Sequence, residues 1–152
     1  MAPGAGPMPP EMHWALVLIL SWFTMGLVGL FWAFKQANFV KLIDPASNAV
    51  KMLMVALGGM VVQVLLYIVA MASRSMTLMA MMGVIMMLLN AVILVAGLMA
   101  VFGMRRSMVN YYNSTEPMGL KLSGVMTFFF SILYFQYHFS RIARWKKTGM
   151  LS

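Results

Sequence analysis

Residues 52–90 read MLMVALGGMVVQVLLYIVAMASRSMTLMAMMGVIMMLLN, two apolar runs separated only by Ser73, Arg74 and Ser75. A helix needs about 20 mostly apolar residues to cross a bilayer. The first run has 21 residues, and the second, which continues beyond Asn90 to Met104, has 29. Because the connection is only three residues long, the second helix has to run antiparallel to the first. The segment therefore predicts a tight antiparallel hairpin of two membrane-spanning helices.

The composition of the whole chain also indicates that its solvent is lipid. Of 152 residues, 62% are hydrophobic and 9% are charged, whereas soluble domains carry about 25% charged residues. The cations responsible for the net charge of +8 lie outside the long apolar runs. Anionic lipid headgroups, and not nucleic acid, are therefore the expected partner of this charge. The absence of cysteine excludes disulfides and thiolate metal sites.

Two further uncharged stretches bring the number of predicted spans to four. Residues 14–34 and 122–140 have a suitable length, and the hairpin runs cover residues 52–72 and 76–104. The prediction is an all-α polytopic membrane protein with four transmembrane helices. An even number of crossings places both termini on the same side of the membrane. Five of the Lys and Arg residues then lie on the side of the termini and six on the other side. Because the numbers are nearly equal, the positive-inside rule does not decide the orientation.

The predicted domain organisation follows from these spans. Residues 1–13 form a Pro/Gly-rich arm that has little to bury and should be flexible unless a partner holds it. Residues 14–140 form the four-helix transmembrane domain, and residues 141–152 form a basic tail. The tail and the segment 105–121 are the predicted contact surfaces outside the membrane.

Helices in a membrane associate through small residues and buried polar groups, because lipid competes for apolar contacts. If all four spans cross the membrane, the number of residues from the membrane face places Thr24, Gln63 and Ser131 about 14–17 Å below that face, near the bilayer centre. Their common depth predicts one layer of hydrogen bonds between helices. Asn90 falls level with the diglycine of the preceding span, where its amide could reach a backbone carbonyl. The small residues predicted to allow close helix packing are Gly26, Gly29, Gly58, Gly59, Ala96 and Ala100.

Groups that carry catalysis or ion transport are missing from the predicted spans. No ionisable side chain lies deep within a span, whereas ion-coupled carriers place such groups there. The three acids, Glu11, Asp44 and Glu116, lie on different surface segments. No acid/base pair or Ser/His/Asp arrangement can be assembled from them, which argues against an enzyme.

Two histidines are the candidate cofactor ligands. His13 enters the first predicted span and His138 leaves the last, so both lie at the same membrane face. Imidazole is an axial ligand of haem and, similarly, of the magnesium in a chlorophyll-type pigment. The alternative is that both histidines belong to an interfacial aromatic belt, with Trp14 and Tyr137 beside them.

Methionines are the candidate metal ligands. Met79, Met82 and Met86 fall on one helical face, and their thioethers would suit Cu(I). They could line a passage for Cu(I) or lipid. The alternative is that the twenty methionines fill irregular gaps between helices.

Residues 128–147 read FFFSILYFQYHFSRIARWKK. Along this segment the end of a predicted span is followed by an aromatic belt and then by a basic anchor. Each cation near an anionic leaflet contributes about 1 kcal/mol to membrane binding. The predicted headgroup-binding residues are Arg141, Arg144, Lys146 and Lys147.

Residues 20–44, LSWFTMGLVGLFWAFKQANFVKLID, resemble a bacterial family of small multi-pass membrane proteins known only as a domain of unknown function. The pattern is Leu-Ser-x-x-Thr-x-Gly-x-x-Gly-x-x-Trp, and residues 133–142, LYFQYHFSRI, are similar to the family's closing segment. Val28 stands where a tyrosine is common. The resemblance implies residence in a bacterial inner membrane and supplies no mechanism. The two glycines of the pattern also allow the first helix to bend and re-enter rather than cross.

These observations predict a non-catalytic accessory or scaffolding subunit of a larger membrane assembly. A haem- or chlorophyll-type pigment carrier and a lipid or Cu(I) passage are the two alternatives.

Overall fold

The computed structural model describes residues 6–73, 75–116 and 118–149. The regular secondary structure in these three ranges is helical throughout, as predicted. The five helices are α1 (Trp14–Phe23), α2 (Leu27–Ile43), α3 (Ala49–Ser73), α4 (Met76–Ser114) and α5 (Gly124–Thr148). The chain divides into two compact units, one comprising Met1–Val50 with Val101–Ser152, the other Lys51–Ala100. We call them the core unit and the hairpin unit.

Two helices, not four, are long and apolar enough to cross a membrane within the described ranges. They are α3, with 25 residues, and α4, with 39. These two helices contain the two apolar runs that were predicted to form a hairpin. Inside the hairpin unit the two helices pack closely, because a Cβ atom added at Gly59 would lie 2.7 Å from Cγ1 of Ile93. The prediction of two additional full spans is wrong.

The first predicted span is instead a pair of short helices that fold back on each other. Helix α1 ends because Met25 and Gly26 adopt positive φ angles of 51° and 92°. The Gly26 N–H donates to the carbonyl of Ser21 at 2.7 Å, which closes the helix end. A Cβ atom at Gly29 would lie 2.9 Å from Oγ of Ser21, whereas residues eight apart in one straight helix are separated by about 12 Å. Helix α2 therefore returns along α1.

This α1–α2 hairpin is too short to cross a bilayer. The 10 residues of α1 extend about 15 Å, half of the roughly 30 Å hydrocarbon layer. The side chains at its tip are exposed, with Trp22 at 84% and Met25 at 98% of their full accessible surface. The structure therefore shows a helical hairpin where the sequence predicted the first continuous span.

The last predicted span is interrupted as well. Ser131 has non-helical backbone angles inside α5, with φ 32° and ψ −103°. The bend brings the N–H of Ser123 within 3.0 Å of the Tyr134 hydroxyl, although the two residues are eleven apart. Side chains just before the bend are exposed, and Phe129 reaches 71%. Helix α5 thus carries an exposed aromatic tip rather than one continuous span.

Helices α1, α2 and α5 pack together in the core unit, with the C-terminal part of α4 contributing further buried side chains. The rings of Phe39 and Phe139 meet edge to face at 5.2 Å. Met104, Met108 and Tyr112 are fully buried, and the segment predicted as an open contact surface from residue 105 is helical as far as Ser114.

Candidate functional site

A buried amide forms the polar centre of the core unit. Gln136 is inaccessible to solvent, and its Oε1 accepts from Nε1 of Trp32 at 2.6 Å and from Nε2 of Gln36 at 3.2 Å. Its Nε2 donates to the carbonyls of Met12 at 2.7 Å and Pro10 at 3.1 Å. Gln136 therefore links three parts of the chain: α2, α5 and the segment that leads into α1.

The second buried polar group is an ion pair. Lys146 Nζ lies 3.0 Å from Oε1 of Glu116, and both side chains are 1% exposed. The same ammonium donates to the carbonyl of Pro7 at 3.0 Å. The same carboxylate accepts from the N–H of Gly6 at 2.8 Å. These extra hydrogen bonds offset part of the cost of removing two charges from water.

These contacts bear on two expectations from the sequence. The described part of the N-terminal arm, residues 6–13, is held against the chain's own helices and is not free. Lys146 is occupied by Glu116 and is not available to a lipid headgroup. The sequence suggested neither, because Lys146 and Glu116 lie 30 residues apart.

The three other predicted headgroup ligands lie in different surroundings. Lys147 pairs with Glu11 at 2.8 Å, in an exposed contact. Arg144 is exposed. Arg141 is half-buried, with its guanidinium carbon 5.9 Å from the ring centre of Tyr137.

Arg141 also lines a cavity of the core unit whose charged side chains are both cations. This cavity has a volume of about 310 Å³, and the loop before α5 and one face of α5 form its walls. Its lining residues are Met118, Gly119, Leu120, Lys121, His138, Arg141 and Ile142. Two cations and an imidazole thus line one partly open cavity, which we call the basic cavity.

His138 is the buried member of this group. Only 6% of its surface is exposed, and its Nδ1 has no hydrogen-bond partner. Burial, and to a smaller extent the charge of Arg141, lowers the pKa of His138 to about 4. The imidazole is therefore neutral at pH 7 and offers one N–H donor and one acceptor.

His13, the other candidate cofactor ligand, serves a local structural role. It caps α1, and its Nδ1 accepts from the N–H of Ala15 at 3.3 Å. Its ring stacks on Trp14 at 5.7 Å. It lines a separate cavity of about 480 Å³, together with Met12, Ser140 and others. The two histidines are not brought to one cavity, and the ranges described contain no group of three His, Asp or Glu side chains placed to hold a metal ion.

The polar residues predicted to join helices make local contacts instead. Thr24 Oγ1, Asn90 Nδ2 and Ser131 Oγ each donate to the carbonyl four residues earlier in the chain, at 2.7, 3.1 and 3.0 Å. Gln63 is half-buried on α3. Polar contacts between α2 and α5 are made instead by Trp32, Gln36 and Gln136, which the sequence did not indicate as partners. Two glutamines within aromatic-rich apolar segments were the available signal.

The predicted packing residues divide into three groups. Gly29 and Gly59 lie at close helix contacts, as described above. Gly26 forms the turn after α1, and Gly58 has no neighbour within 4 Å of an added Cβ atom. Ala96 and Ala100 are buried.

The three candidate copper ligands lie on α4 in the hairpin unit. Met79 is exposed, whereas Met82 and Met86 are half-buried. A groove of about 370 Å³ in this unit is lined by a different, wholly apolar set: Met52, Ala91, Val92, Val95, Ala96 and Met99.

Comparisons with protein-family models, with curated proteins and with solved structures found no match for this chain. The candidate site therefore has to be interpreted from its own geometry.

Proposed function

We propose that this chain is an integral membrane protein that acts as a non-catalytic accessory or scaffolding subunit of a larger membrane assembly. The observation that supports it is the apolar surface of the hairpin unit. In their most apolar stretches, 11% of the residues of α3 and 17% of those of α4 are buried. A helix pair that is apolar on nearly all sides requires lipid or other apolar helices around it.

A partner helix, and not lipid alone, is favoured by the groove lined by Met52, Val92 and Met99. It presents apolar side chains alone and includes the small residues Ala91 and Ala96. Membrane helices associate where small residues let backbones approach closely. We propose that this groove receives an apolar helix of another subunit.

Two crossings also suggest an orientation. If α3 and α4 cross and the α1–α2 hairpin enters one leaflet only, Arg74 lies alone on one side of the membrane. The ten other Lys and Arg residues then precede the first crossing or follow the second. Under the positive-inside rule this asymmetry favours both termini in the cytoplasm.

Single cysteines test this topology cleanly, because the natural chain contains none. Met8→Cys, Asn48→Cys and Ser75→Cys change exposed residues. A membrane-impermeant maleimide applied to spheroplasts should label the Ser75→Cys protein and leave the other two unlabelled until the membrane is opened. Four crossings would instead place Met8 with Ser75 and Asn48 on the opposite side, and that pattern would refute the topology.

The accessory role is tested by photo-crosslinking in native membranes. A photoreactive residue at Val92, in the groove, should give one discrete protein adduct that mass spectrometry identifies. The same residue at Val84, exposed on α4 outside the groove, is the matched control and should give mainly lipid adducts. Lipid adducts at both positions, together with a monodisperse monomer after mild extraction, would argue against a partner subunit.

A further inference from the structure

The basic cavity carries positive charge that no acidic side chain of the described residues is placed to balance. All three carboxylates of the sequence are engaged elsewhere. Glu11 pairs with Lys147, Glu116 pairs with Lys146, and Asp44 accepts from the Ser107 hydroxyl at 2.6 Å. No acidic residue is among those lining the cavity. A cavity with two cations and no acid is suited to an anion.

His138 adds an independent indication of a ligand. A buried polar atom without a partner costs about 1–3 kcal/mol, so native proteins rarely leave one. The Nδ1 atom of His138 is such an atom, and its residue lines the same cavity as Lys121 and Arg141. The His138 ring therefore brings unsatisfied hydrogen-bonding capacity to the wall of this cavity, and a small movement of the ring is required for a ligand oxygen to reach Nδ1.

We propose that the basic cavity binds a phosphate group, with Lys121 and Arg141 neutralising its charge and the His138 imidazole donating a hydrogen bond to one of its oxygens. Arginine and lysine are the usual partners of phosphate oxygens, and arginine can bind two of them at once. The volume of about 310 Å³ exceeds that of a phosphate alone and leaves room for part of a glycerol. The phosphate belongs either to an anionic phospholipid or to a free anion.

The position of the cavity favours a lipid source, an extension that rests on the membrane residence proposed above. Arg141 follows the bend at Ser131 by ten residues, about 15 Å along a helix. The phenylalanines before the bend, among them Phe129 and Phe130, are exposed. If this aromatic tip enters the hydrocarbon, the cavity lies about half a bilayer thickness away, at the depth of the headgroups.

NMR of labelled histidine gives a direct readout, because the chain has two histidines. In a His13→Gln background the imidazole signals report on His138 alone. The full-length protein would be titrated with inorganic phosphate in neutral detergent micelles. In parallel it would be placed in nanodiscs of phosphatidylcholine, with and without phosphatidic acid.

We expect a saturable shift of the His138 signals with at least one probe. Lys121→Gln and Arg141→Gln should each weaken the interaction about tenfold, the loss typical of one charge-assisted hydrogen bond. Lys41→Gln and Arg106→Gln remove exposed cations that do not line the cavity, and they are the matched controls that should leave the titration unchanged.

The outcomes separate the sources and can overturn the proposal. A shift with phosphatidic acid but not with inorganic phosphate identifies a lipid ligand, and the reverse identifies a free anion. No shift with either probe in a folded protein overturns the site, and so does an equal loss in the control variants. Because the micelle titration requires no bilayer, the site can be present even if the proposed topology fails.

Discussion

Replacing Gln136 by leucine should strongly destabilise the core unit. The substitution removes four hydrogen bonds at once. Gln36 keeps a second contact, because its Nε2 also donates to the carbonyl of Ile132 at 3.0 Å. The carbonyl of Met12 keeps a long contact with the Ser140 hydroxyl at 3.4 Å.

The indole N–H of Trp32 and the carbonyl of Pro10 each lose a hydrogen bond to the Gln136 side chain. In the described ranges neither group has a second hydrogen bond that would remain. Each buried group left without a partner costs about 1–3 kcal/mol. Because Trp32 is buried whereas Pro10 is half-buried, the expected loss in the free energy of unfolding for Gln136→Leu is about 2–4 kcal/mol.

Reversible unfolding in mixed detergent micelles, followed by circular dichroism, measures this loss. Gln63→Leu is the matched control, because no hydrogen bond of the Gln63 side chain was found in the described ranges, and it should stay within about 0.5 kcal/mol of the natural protein. Trp32→Phe removes one donor and should cost about 1–2 kcal/mol. Combined with Gln136→Leu it should cost less than the sum, because the two changes remove the same bond. If Gln136→Leu were no more destabilising than Gln63→Leu, the network would not hold the core unit together.

Three further predictions concern other parts of the core unit. Glu116→Gln leaves the Lys146 ammonium buried without its counter-ion and should reduce the free energy of unfolding by about 3–5 kcal/mol. The double variant Glu116→Gln with Lys146→Met should recover part of this loss, because it also removes the unpaired charge. If it recovered none of the loss, the pairing would be contradicted. Gly26→Ala forces a side chain onto a φ of 92° and should cost about 1–2 kcal/mol. Gly58→Ala lies inside α3 with open space around it and should instead raise the free energy of unfolding by about 0.5–1 kcal/mol in the same assay, because alanine favours the helix more than glycine does. Because His138 takes up its proton near pH 4 and an unfolded histidine near pH 6.5, the unfolded state binds more protons between these values. Stability should therefore fall by about 2–3 kcal/mol as the pH drops from about 6.5 to 4, and a His138→Gln protein that keeps the same pH dependence would refute the assignment.

The candidate site was only partly predictable. His138 and Arg141 were singled out because each follows an aromatic, apolar run, and that pattern is local. Lys121 joins them only because the loop before α5 folds against that helix. The burial of Lys146 depends in the same way on a carboxylate from another segment, so a run of basic residues could not reveal which cation is withdrawn from the surface.

The sequence by itself predicted two long apolar helices, α3 and α4, joined by a very short connection, because the length of an uncharged apolar run and the shortness of a connection are local quantities. Only the tertiary structure decided that the first and last apolar stretches turn back. One residue pair with positive φ ends α1, and one bend interrupts α5. These conformations accompany side-chain contacts between Trp32 and Gln136, which are 104 residues apart. An apolar run specifies that a helix can enter the membrane, but contacts between distant segments decide whether it crosses.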